Sequence, residues 1–124
     1  MAAPNLLNPS SIVGKTAVVD LTSTNATSVL SNASGSGKVL KVNSLYVANV
    51  DGTNSAEITI TLYSEAGLGG TGNQICSTVF VPADASIVVI DKDSFIYLEE
   101  DKSLGATASA ANDLKVTCSY EEIS

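Results

Sequence analysis

Side-chain chemistry needs nucleophiles, acids or metal ligands within reach of one another. This chain offers Cys76 and Cys118, 13 Asp and Glu, six Lys, many Ser and Thr, and no His, Arg or Trp. The missing imidazole matters most. A Ser or Cys nucleophile is weak until an adjacent base activates it, and no spacing of Ser, Lys and Asp resembles an activated set. Paired-carboxylate hydrolysis needs only two acids across a cleft. Carbohydrate-cleaving clefts are commonly built on aromatic platforms, however, and the four tyrosines do not cluster along the sequence. The expectation is a non-enzyme with no catalytic, cofactor-binding or metal-ligating residue.

Two local patterns invite a sharper reading and lose it on inspection. Ser34-Gly35-Ser36-Gly37-Lys38 looks like a phosphate loop, but that motif puts Gly where Asn32 stands and Ser or Thr where Val39 stands. It also joins two strand-like runs, so no helix N-terminus is offered to a phosphate. Asn25-Ala26-Thr27 and Asn32-Ala33-Ser34 match the glycosylation acceptor pattern and read as chance matches in a Ser/Thr-rich region. The densest acids are Asp91 and Asp93, then Glu99, Glu100 and Asp101. They suit a hard cation in principle, but Phe95 stands where a calcium loop would place its third oxygen ligand, so solvated turns are the better reading.

The two cysteines lie in separate strand-like runs and read as small buried hydrophobes. Whether they pair stays open, because spacing does not show how closely their Cβ atoms approach. A formal charge of -7 with no basic stripe repels phosphate backbones and anionic lipid, which argues against nucleic-acid and membrane partners. No basic segment followed by an apolar stretch opens the sequence, and no run nears the roughly 18 apolar residues of a membrane span. The reading is therefore of a chain made in a reducing, intracellular compartment.

The elements that would carry these residues are strands. The length suits one domain, and with aromatic residues at 5% the core must come from Val, Ile, Leu and Ala. Residues 1–14, with Pro4 and Pro9, form an extended arm, and 15–124 form the domain. Strands are expected over 16–21, 26–31, 38–50, 74–81, 86–90, 95–98, 103–110 and 114–123, with Ile58, Ile60 and Leu62 alternating against Thr59, Thr61 and Tyr63 in a further run. In 38–50 apolar residues fill both parities, which places that strand near a sheet centre and suggests a register change. Asp51-Gly52 reads as a hairpin turn with positive φ. Residues 32–37 read as a flexible turn and Gly67 to Gly72 as a mobile loop. About eight strands at this spacing imply an all-β antiparallel sandwich, jelly-roll-like or Ig-like.

Such a domain works by binding. It is either a structural component that pairs with other chains or a soluble glycan-recognition module gripping its ligand with the Gly-rich loop. Met1-Ala2-Ala3-Pro4-Asn5-Leu6-Leu7-Asn8-Pro9, Leu45-Tyr46-Val47-Ala48-Asn49-Val50-Asp51-Gly52, Val81-Pro82-Ala83-Asp84-Ala85, Ile96-Tyr97-Leu98-Glu99-Glu100 and Cys118-Ser119-Tyr120-Glu121-Glu122-Ile123 resemble small virion proteins of tailed bacteriophages, especially those of marine cyanobacteria. That resemblance implies a capsid decoration, or cement, protein in the virion, made in the host cytoplasm and binding the major capsid protein. A neck, tail or fibre-base adaptor is the alternative position. Homo-oligomers or symmetric neighbours are expected, with Leu6, Leu7, Ile12 and Val13 as the docking residues of the arm.

Overall fold

A computed structural model describes residues 4–124. Nine strands form: β1 (Ile12–Asp20), β2 (Thr27–Asn32), β3 (Val39–Asn49), β4 (Ala56–Glu65), β5 (Gly69–Val81), β6 (Ser86–Ile90), β7 (Ile96–Leu98), β8 (Lys102–Ala108) and β9 (Leu114–Ile123). All pairings are antiparallel, β1-β9-β3-β6 in one sheet with the short β7 also on β3, and β2-β8-β4-β5 in the other.

The pairs are nested. β4 pairs β5, β3 pairs β6 and β7, β2 pairs β8, and β1 pairs β9. The chain is thus one long hairpin, rolled up so that β3 meets β9 and β4 meets β8. That is a jelly roll, which settles the choice left open between jelly-roll-like and Ig-like.

The core between the sheets is aliphatic, as the composition requires. Leu21, Leu45, Ile58, Ile60, Ile90, Leu98, Leu104 and Leu114 are its largest fully buried side chains, and no Phe or Tyr is buried among them. Each contributes about 1.5–3 kcal/mol by leaving water. β3 shows how two-sided filling is solved. Leu40 and Val42 face inward before the register shift between Val42 and Ser44, and Leu45 and Val47 face inward after it. One extra residue, Asn43, switches the parity that faces the core.

Three turns differ from the sequence expectation. Asp51-Gly52 joins β3 to β4, which lie in different sheets, so it is a crossover and not a hairpin. Gly52 does not adopt positive φ. Asp51 shapes the turn instead, its Oδ1 accepting from Thr53 N at 2.7 Å and Asn54 N at 3.0 Å. The expected mobile glycine loop is a 3-10 turn at Ala66–Leu68 followed directly by β5. Side chains from other strands and turns hold it: Ala66 N donates to Asp101 Oδ1, Gly67 N to Ser31 Oγ and Leu68 N to Ser103 Oγ. The third is residues 32–37, where Asn32 is buried and gives its amide to Lys38 O at 2.9 Å and Leu98 O at 3.1 Å. A side chain so committed leaves no site for a glycan, whereas Asn25 is exposed.

Candidate functional site

The four arm residues do not share one environment. Leu6 and Leu7 precede the sheet, with Leu7 94% exposed. Ile12 and Val13 belong to β1, paired with Ile123 and Glu122. The free arm therefore ends before residue 12, not at 14, because Ser10 N and Ser11 N already donate to Ser124 O and Ser124 N returns a bond to Ser11 O. Its first three residues lie outside the described ones. All four side chains are nevertheless exposed, Ile12 and Val13 on the strand that forms one edge of its sheet and Leu6 and Leu7 on the segment before it.

That edge is held by charge. Glu122 accepts from Lys15 Nζ at 2.8 Å and from Lys38 Nζ at 2.7 Å, tying β1 to β9 and to the turn before β3. The two ammonium groups hold the Glu122 carboxyl below its ordinary range, and Glu122 in turn raises Lys15. Beside this bridge a cleft of about 370 Å³ opens between β1 and β2, lined in part by Ala17, Val29, Leu30, Leu40 and Tyr120.

The outer face of the β1-β9-β3-β6 sheet carries an apolar row. Val18 lies opposite Thr117, Thr117 opposite Tyr46 and Tyr46 opposite Val88, and Val18, Tyr46 and Val88 are exposed. Nearby, Lys41 Nζ sits 4.5 Å from the Phe95 ring centre, and Phe95 meets Tyr97 edge to face at 5.4 Å. This cluster was hidden in the sequence because β7 brings Tyr97 beside Lys41 across a distant pairing.

The thiols and several of the acids are spent on structure. Cys118 is buried in β9 and Cys76 half-buried in β5, and both are free thiols on different sheets. Burial pushes Cys118 up to about 12 and raises Cys76 as well, which keeps both as thiols at neutral pH. Asp91 caps the 3-10 turn at Lys92–Ser94, accepting from Asp93 N and Ser94 N. Asp51 and Asp113 meet through their side chains at one end of the sandwich, where Val50 N also bonds Asp113 O. Backbone donors from Asn54 and Thr53 hold Asp51 low, while desolvation and the Asp51 charge raise Asp113. Among the described residues no three Cys, Asp or Glu are grouped to hold a metal ion.

A groove of about 470 Å³ lies on the outer face of the other sheet. Thr59, Thr61 and Tyr63 of β4, Thr107 of β8, and Gly72, Asn73 and Gln74 of β5 line it. It is the Thr face seen in the sequence, but its walls come from β5, whose register slips three times against β4.

The fold recurs in a spore pilus. The chain is similar to a solved chain from Bacillus endospore appendages, described as a novel family of disulfide-linked pili, with a TM-score of 0.53 and 16% identity over 100% of this chain and 97% of that one. No protein-family model and no curated protein matches the sequence. At that identity the likeness is one of fold. It gives no function to any residue, and the exposed edge, apolar row and groove stand on their own geometry.

Proposed function

We propose that the chain is a non-enzymatic virion structural protein, a capsid decoration protein bound to the outer surface of the major capsid shell. The observation that carries this reading is the run of exposed apolar side chains Leu6, Leu7, Ile12 and Val13 along an arm and an unpartnered sheet edge. Apolar surface of this kind favours burial against another chain. The edge of β1 also offers free backbone groups to a neighbour. The apolar row on the same sheet and the cleft between β1 and β2 extend the surface that neighbours would cover. The resemblance of the sequence to tailed-phage virion proteins points to the particle, and a spore pilus with this fold is in keeping with a structural role.

The test follows from where the arm ends. Removing residues 1–9 keeps Ser10 and Ser11 on Ser124 and leaves β1 whole. The truncated protein is expected to melt within a few degrees of the full chain and to lose occupancy on purified virions. Full occupancy after truncation overturns the arm's role. Labelling of the neck or tail instead of the shell moves the protein to the adaptor position.

A further inference from the structure

We propose that the groove on the β4-β5-β8 face binds a neutral oligosaccharide. No Lys, Asp or Glu lines it. Its lining is Thr hydroxyls, the Asn73 and Gln74 amides and one aromatic ring, a set that pairs with sugar hydroxyls and stacks on a sugar's C–H face without selecting a charge. The volume, about 470 Å³, falls in the range of small-ligand sites.

Two features indicate a built surface. Thr61 is only 9% exposed and lines the groove, yet its hydroxyl takes part in no hydrogen bond among the described residues, whereas the neighbouring Thr59 hydroxyl accepts from Thr78 N. A polar group so enclosed gains from a partner, and the groove is where one would sit. The second is the placement of Tyr63. A Cβ at Gly105 would come within 3.0 Å of its Cε2, and one at Gly72 within 3.2 Å of its Cε1. The ring lies down between two glycines on neighbouring strands, which leaves the sheet beside it open. Gly72 is the partner of Tyr63 in the β4–β5 ladder, so the glycine-rich start of β5 serves to clear this surface.

The occupant is a neutral glycan because the chain's net charge of -7 disfavours acidic sugars and the groove holds no cation to offset it. The inference is independent of where the protein is assembled.

An array of neutral oligosaccharides (hexose, pentose and N-acetylhexosamine) and of sialylated and sulfated ones tests it, followed by NMR titration with the neutral glycan retained most strongly. Retention of neutral glycans is expected, with amide shifts confined to β4, β5 and β8. Gln74→Ala, at an exposed position, and Thr61→Val, which removes only the hydroxyl, should each weaken binding about tenfold, as the loss of a ligand hydrogen bond does. Their melting temperatures check that the fold is intact. Retention of no neutral glycan, retention of acidic glycans alone, or shifts that map elsewhere overturns the proposal.

Discussion

At the residue scale, the acids and thiols act on stability. Asp113 is raised by desolvation and by Asp51, so the folded state binds its proton more readily than the unfolded chain does. Its charge therefore costs stability at neutral pH, and the cost fades as pH falls through the folded value. Asp113→Asn is expected to raise Tm slightly at pH 7, with the gain shrinking as pH falls through the raised folded value; thermal melts from neutral to acid pH check it. The thiols give a second expectation. With both held above their ordinary value, alkylation at pH 7 should be slow at Cys76 and should reach Cys118 only at the rate of unfolding, as mass spectrometry of timed samples will show. Asn32 and Asn49 are the polar residues the sequence concealed. Asn49 bridges Asn54 O and Val81 O and accepts from Asp51 N, joining the two sheets at a crossover. Asn49→Ala strands these buried groups and should cost about 1–3 kcal/mol in chemical denaturation.

At the element scale, β1 is an edge strand tied to β9 by charge at both ends, through Glu122 near its start and the Lys115–Asp20 pair at its end. Because Glu122 is held low, its contribution is present at neutral pH and lost as pH falls through its lowered folded value. Lys15, held high, keeps its share until strongly alkaline pH. Glu122→Gln should leave the core intact and speed hydrogen exchange in the first half of β1 at pH 7; unchanged exchange would show that the Glu122 bridges do not hold the strand. Strand positions were largely legible, since β6 and β9 match the sequence reading residue for residue and the parity switch in β3 announced a bulge. What local pattern did not carry was the partner of each turn. Asp51-Gly52 has hairpin chemistry but connects two sheets, and the glycine run looked loose because the residues that hold it, Ser31, Asp101 and Ser103, lie far away in sequence. The groove was half visible as a Thr face. Its Tyr63 wall depends on glycines in two other strands, a relation that no single window of sequence contains.

At the scale of the whole molecule, the nested pairs decide how the chain folds. Among the described residues only β4 and β5 are sequence neighbours that pair directly, whereas β1 must find β9, bringing Ile12 to Ile123. Contacts of such separation close large loops before they repay the entropy, so refolding is expected in milliseconds to seconds, with β1 protected last in pulsed hydrogen exchange. The same outermost pair places Ser11 and Ser124 in mutual hydrogen bonds, so the chain leaves the fold at the point where it enters. The domain is in effect a bead with one doorway. It can be spliced into a surface loop of a host protein with its edge, row and groove undisturbed.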